Sequence, residues 1–189
     1  MESALIVCEA QKSTEYFKDI LMQNQCSEIS TVRTSQEARR MMLERDFDLC
    51  IINAPLIDEF GESLSKDIAT HSTCQIIIVV KAELFDEVCS KVEDYGVITV
   101  AKPINKTMLW NAIKFANVAK FRMRMVQKQN EKLLQKIDDI KLIDRAKLLL
   151  ISYLNMTEEQ AHKYIERQAM DMRVTKRDIA QNILKTYDS

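Results

Sequence analysis

The stretch FDLCIINAPLIDEFG, residues 47–61, decides the fold: the apolar run LCIIN (49–53) gives way to a segment holding Pro55 and Gly61. A short, nearly continuous apolar run rich in β-branched residues and closed by turn formers is the pattern of a strand buried on both faces. The run stops at a polar residue, so whatever Asn53 does is done at the carboxyl end of a strand. Four further runs share the character: ALIV (4–7), EISTV (28–32), QIIIVV (75–80) and VITVA (97–101). Between them apolar residues recur at helical spacing, over 14–25 (Phe17, Ile20, Leu21), 35–45 (Ala38, Met41, Met42), 62–70, 84–95 and from 105 onward. Five strands alternating with five helices predict an α/β fold, a five-stranded parallel sheet with helices on both faces. The working crevice of such a sheet lies beyond the carboxyl ends of its strands, which places Cys8, Glu9, Asn53, Val80 and Lys102 around one rim.

Composition narrows the function classes. The chain has 189 residues, 47% of them hydrophobic, enough for one core with a small appendage, and only two glycines and two prolines interrupt it. No apolar run approaches the roughly 18–20 residues needed to cross a bilayer, and the N-terminus lacks a basic stretch leading into an apolar one. The expectation is a cytoplasmic protein with no membrane contact. The five cysteines (Cys8, Cys26, Cys50, Cys74, Cys89) form no C-x-x-C pair, and His71 and His162 are the only histidines. This predicts buried free thiols, with no metal site and no cofactor. No activated nucleophile or glycine-rich phosphate loop is visible, so no enzymatic activity is expected. The net charge of −1 hides an asymmetry: residues 1–117 hold 12 Lys and Arg against 18 Asp and Glu, residues 118–189 hold 15 against 10. An acidic first part joined to a basic second part suits a regulatory module attached to something that meets a polyanion, although ordinary surface charge gives the same count.

The order LIVCEA, DLCIINAPLIDEFG, IIIVVK, VAKPI resembles the receiver domain of bacterial response regulators, over residues 1–117. The resemblance implies a flavodoxin-like sheet and a defined rim. In that family an acidic pair after the first strand and an Asp ending the third hold Mg²⁺, the Asp accepts a phosphoryl group, a Thr or Ser ends the fourth strand, and a Lys precedes a proline after the fifth. Lys102-Pro103, Pro55 and Gly61 match; Cys8, Asn53 and Val80 stand where a carboxylate, the Asp and the hydroxyl belong. Phosphoryl transfer needs an anionic oxygen nucleophile and a cation to neutralise phosphoryl charge, and a hard cation wants oxygen ligands. The expectation is a degenerate receiver in which Asn53 keeps the shape of a phospho-acceptor without its reactivity. The other reading is an unrelated α/β fold in which Asn53 caps the loop.

From 105 the chain reads as one long helix. With Leu109, Ala116, Met123, Asn130 and Ile137 at position a, Ala112, Ala119, Val126, Leu133 and Ile140 fall at d, a heptad pattern predicting a coiled coil and a homodimer. Met123, Val126, Asn130, Leu133, Ile137 and Ile140 are the expected dimerisation residues, in a linker helix over 118–141. Asn130 among apolar layers is a device that fixes register and a two-stranded state. Against a parallel arrangement, Lys136 at g faces Lys141 at e of the partner. The alternative is a stalk packing on its own domain.

Residues 142–189 predict a small three-helix bundle. Asn155 ends the long helix in a left-handed conformation; Thr157 with Gln160 forms a capping box, and Thr175 with Asp178 a near equivalent. The first helix contributes Ala146, Leu149, Leu150 and Tyr153. The second is expected to bury Ala161, Tyr164, Ile165, Ala169 and Met172, and the third Ile179, Ile183, Leu184 and Tyr187. Tyr153 and Tyr164 are read as core in preference to stacking platforms. Arg145, Lys147, Lys163, Arg167, Arg173, Lys176 and Arg177 form the polar surface.

The segment LIDRAKLLLISYLNMTEEQAHKYIERQAMDMRVTKRDIAQNIL, residues 142–184, resembles the ANTAR domain of bacterial antitermination regulators. Ala146-Lys147, Thr157-Glu158-Glu159 with Ala161, Ala169-Met170 and Lys176 stand where that pattern asks. The resemblance implies binding of a paired-hairpin RNA element in leader transcripts, which stops the intrinsic terminator hairpin from forming. The seven basic residues are the candidate RNA contacts, Arg173, Lys176 and Arg177 forming one edge; a solvated surface explains any single one of them as well. The expected control is association of a sensor or regulatory protein, or of a ligand, with the receiver-like domain, or else constitutive activity, in place of a kinase. A DNA-binding regulator and a dimeric adaptor without nucleic-acid binding remain open, since three short helices also suit helix-turn-helix geometry.

Overall fold

The computed structural model describes residues 1–187. The chain divides into two compact units, Met1–Arg124 and a second beginning at Met125. In the first, β1 (Ser3–Val7), α1 (Gln11–Gln23), β2 (Glu28–Val32), α2 (Ser35–Glu44), β3 (Leu49–Asn53), α3 (Glu62–His71), β4 (Gln75–Lys81), α4 (Phe85–Val92) and β5 (Ile98–Lys102) follow in order, before α5 (Lys106–Leu154) begins. All neighbouring strands are parallel, in the order β2-β1-β3-β4-β5. This is the five-stranded, flavodoxin-like sheet of receiver domains.

Alternation along the strands splits the core in two. Leu5, Cys50, Ile52 and Ile78 pack with Ala38, Leu64 and Val88 of α2, α3 and α4. Ile6, Ile51, Ile77 and Val79 pack with Phe17 and Leu21 of α1 and Leu109 and Ile113 of α5. Burial on both faces holds for β1, β3 and β4 but not for the outer strands: Glu28 and Thr31 of β2 are exposed, and of β5 only Val100 is fully buried. A helix layer covers the middle of a sheet before its edges, which the composition of a strand does not report. Cys8, Cys26, Cys50 and Cys74 are buried free thiols as expected, whereas Cys89 is half-exposed on the outer side of α4. Burial pushes the Cys74 thiol up to about 12.

Two polar ties close this unit. Asp48, just before β3, accepts hydrogen bonds from the Glu2 backbone N–H at 2.5 Å and from Lys120, with Arg124 at 3.5 Å. Burial works against the Asp48 carboxylate, yet the Lys120 ammonium and the Glu2 N–H hold its pKa below the ordinary value. Lys120 lies beyond residue 117, so α5 belongs structurally to the sheet domain through at least its fourth turn.

The loop after Asn53 is held to α2 by Asp58. Its carboxylate accepts from Ser35 N (2.9 Å), Ser35 Oγ (2.7 Å) and Gln36 N (3.1 Å), satisfying orphan donors at a helix N-terminus. Burial opposes the charge, but these bonds outweigh it and take Asp58 from 3.8 to about 2. A depressed carboxylate stabilises the fold above its unfolded pKa and loses that contribution as pH falls through the folded value. The Asp58→Asn variant should therefore unfold at lower temperature than wild type at pH 7. The gap should shrink between pH 4 and pH 2; thermal melts across that range check it, and a pH-independent gap would refute the assignment. At Gly61, which precedes α3 at φ 110°, a Cβ would come within 2.9 Å of Ile52 Cγ2, so the loop needs glycine there.

In the second unit the last turns of α5, with α6 (Glu158–Met172) and α7 (Lys176–Tyr187), form a three-helix bundle around Ala146, Leu150, Ala161, Ile165, Ala169, Ile179, Ala180 and Ile183. Asn155 has φ 51° and Arg173 φ 54°, both left-handed. Thr157 and Gln160 make the reciprocal capping box, and Thr175 and Asp178 hydrogen-bond each other's backbone N–H at 3.0 and 3.2 Å. The expected core is too wide. Tyr164 and Met172 are exposed, as is Tyr153, and Leu149 and Leu184 are half-buried. The side chain of Tyr187 lies outside the described residues. The last turns of α5, together with α6 and α7, share only a narrow stripe, filled by small residues at 146, 161, 169 and 180 with Leu150, Ile165, Ile179 and Ile183, so flanking large residues stay at the rim.

Candidate functional site

The rim at the strand ends is built by β1, β3 and β5. The Cys8 thiol donates to Ala10 O at 3.4 Å and accepts from Asn53 Nδ2 at 3.2 Å, while Lys102 Nζ donates to Ala54 O at 2.6 Å. Burial pushes the Lys102 ammonium below its usual pKa, and it has no carboxylate partner among the described residues. The Asn53 Oδ1 atom is buried and unpartnered. Asn53 and Lys102 share an open cleft with Lys12 and Tyr16, whereas Glu9 is exposed and lines a neighbouring one with Cys8 and Arg33. Val80 is fully buried against the α4 side of the core and presents nothing to the rim.

These donors do not fit the Mg²⁺ that the receiver resemblance implies. A thiol, a neutral amide turned toward that thiol and one exposed carboxylate are a poor set for a hard dication, which prefers several anionic oxygens.

Most basic residues of the tail are held in ion pairs. Lys147 pairs with Asp144 at 2.7 Å and Glu158 at 3.4 Å, Lys163 with Glu159 at 2.6 Å, and Arg167 with Asp171 at 3.7 Å. Lys176 pairs with Glu166, and Arg177 with Asp139 of α5. Each of these two carboxylates is held below its ordinary pKa first of all by its cation. Arg145 is exposed on α5. Arg173, in the left-handed turn between α6 and α7, is exposed and has no ion pair among the described residues. The pairs four residues apart were legible as i,i+4 spacing; those of Lys176 and Arg177 are tertiary and were not.

The expected seam of α5 divides. Leu109, Ala112 and Ala116 are buried in the chain's own core, so these layers pack on the sheet. Met123, Val126, Leu133, Ile137 and Ile140 are about half-exposed, between 48% and 58%. A run of large apolar side chains in water on one helix is an unpartnered face. Phe115, Val118 and Phe121 are also exposed on α5, a patch the heptad reading missed because it falls outside positions a and d.

A parallel sheet in this strand order, with this rim, is a response-regulator receiver architecture. Solved receiver domains from Pseudomonas fluorescens (TM-score 0.58, 18% identity, 66% of this chain and 92% of that one) and Methylobacillus flagellatus (TM-score 0.53, 22% identity, 61% and 98%) share it. The ANTAR domain family matches residues 131–184, beginning inside α5, ahead of residue 142. The transcriptional regulatory protein PdtaR of Mycobacterium tuberculosis is 30% identical over 153 residues, covering 80% of this chain and 74% of that protein. The chain belongs to this family of response regulators that carry a receiver domain and a C-terminal ANTAR domain.

Proposed function

We propose that the protein is an RNA-binding transcription antitermination regulator that acts as a dimer on paired hairpins of leader RNA and prevents terminator formation. The carrying observation is the ANTAR match over residues 131–184 on a folded bundle whose inter-helix turn presents Arg173 to solvent. In this reading the receiver-like regulatory domain extends from the expected 117 to Arg124, the coiled-coil linker follows to 141, and 142–189 are the RNA-binding domain. The protein works in the cytoplasm without cofactor or catalysis. Since the rim carries Asn53, Cys8 and Val80 in place of reactive groups, control comes from a partner whose differential affinity shifts the dimer between arrangements.

Gel shifts with a hairpin-pair leader RNA, a variant of that RNA whose stems cannot pair, and duplex DNA test the reading. Preference for the intact pair supports it; equal or stronger binding of the duplex DNA favours a DNA-binding regulator, and no binding favours an adaptor. Changing Arg173, Lys176 and Arg177 together to Ala should leave the helical content unchanged and weaken RNA binding roughly 10- to 100-fold at physiological salt. The salt dependence should flatten as well, because phosphate contacts set that slope. Unchanged affinity and slope would move the RNA site elsewhere on the bundle.

A further inference from the structure

The bundle carries an open cleft of about 240 Å³ between α6 and α7. Its floor is apolar, made by Leu150, Ile179 and Ile183, and its rim holds Tyr164 with the side-chain amides of Gln168 and Asn182. Tyr164 is 39% exposed at this edge, and the two amides have no hydrogen-bond partner among the described residues. Among the described residues no charged side chain lines the cleft. Just outside it stand two cations: Arg167, three residues from Tyr164 on α6 and loosely paired with Asp171 at 3.7 Å, and Lys185, three residues from Asn182 on α7, both exposed. Residues three apart on a helix are neighbours, so the cations flank the cleft on both helices.

We propose that this cleft receives one unpaired base of the bound RNA. The inference rests on the RNA-binding reading above and adds where a base, as distinct from a phosphate, is held. An aromatic ring beside an apolar floor suits the face of a base, and two amides without a protein partner among the described residues suit donors and acceptors along its edge. The described lining offers a phosphate no cation, while cations on either side suit the phosphates that precede and follow a splayed nucleotide. The volume is below the roughly 300–1,000 Å³ of pockets for drug-sized ligands, which favours a single ring system over a larger ligand.

The test uses the full-length protein and the hairpin-pair RNA, unmodified or with an abasic residue at each loop position in turn. Tyr164→Ala should weaken binding of unmodified RNA roughly 5- to 150-fold, the range for loss of one base–aromatic stack. Tyr164→Phe should stay within about twofold, and the salt slope should be the same in all three proteins. One abasic position should weaken wild type by a similar factor and cost Tyr164→Ala nothing further. Wild-type binding that tolerates every abasic substitution, or Tyr164→Ala binding as well as wild type, overturns the base site while leaving RNA binding itself standing. Failure of the wild type to bind any hairpin RNA overturns both.

Discussion

Incubated with acetyl phosphate and Mg²⁺, the wild-type chain is expected to keep its mass, with no acyl phosphate detected by intact-mass measurement. The structure supplies the reason atom by atom. Asn53 offers an amide whose nitrogen is directed at the Cys8 sulfur, 3.2 Å away, and an amide has no anionic oxygen to attack phosphorus. Lys102 remains, but its ammonium is engaged with Ala54 O at 2.6 Å. Asn53→Asp alone should also stay unmodified, because Cys8 remains in place of a magnesium carboxylate and Val80 is sealed in the core. The difference from a working receiver is all-or-none, and a stoichiometric gain of one phosphoryl group on the wild type would overturn the account. With phosphorylation absent, a regulatory partner has to be sought by association, with the acidic receiver-like unit as bait.

The second large effect concerns assembly. Full-length protein should sediment as a dimer, and a variant carrying Val126→Glu, Leu133→Glu and Ile140→Glu should sediment as a monomer, since three layers of like charge would face each other across the seam. If two bundles engage two hairpins, monomerisation removes the effective concentration that links the two events, a loss of roughly 10²- to 10⁴-fold in affinity. A receiver-like fragment for comparison should end at Arg124 and not at 117, because Lys120 and Arg124 hold the Asp48 carboxylate. It should be largely monomeric. A monomeric full-length chain would remove the coiled-coil proposal.

Much of this architecture was legible in the sequence, for identifiable reasons. LCIIN and QIIIVV are long enough and branched enough that only a doubly buried strand suits them, and the observed β3 covers 49–53 as expected. The Thr157 capping box was readable because its two partners are three residues apart. What failed was any statement about what covers a face. Periodicity put Leu109, Ala112, Ala116, Met123 and Val126 on one side of α5 but did not reveal that the sheet takes the first three. It likewise put Tyr164 on the inward side of α6 without showing that Ala161, Ile165 and Ala169 would occupy all the room there. Asp58 holding Ser35 and Gln36, and Asp139 meeting Arg177, join residues far apart in sequence, and no local pattern encodes them.

Those last ion pairs change what RNA binding would mean for this bundle. Lys176 and Arg177 carry their own counter-ions, Glu166 and Asp139, so a phosphate that takes either cation also frees a carboxylate of the protein, which recaptures part of the salt cations that the RNA releases. Binding then becomes an internal ion exchange, in which fewer free ions are liberated than there are cations in contact. The freed carboxylates would repel every phosphate except one placed to take the cation squarely, so the same residues that attract a polyanion would also reject it when it lies in the wrong register.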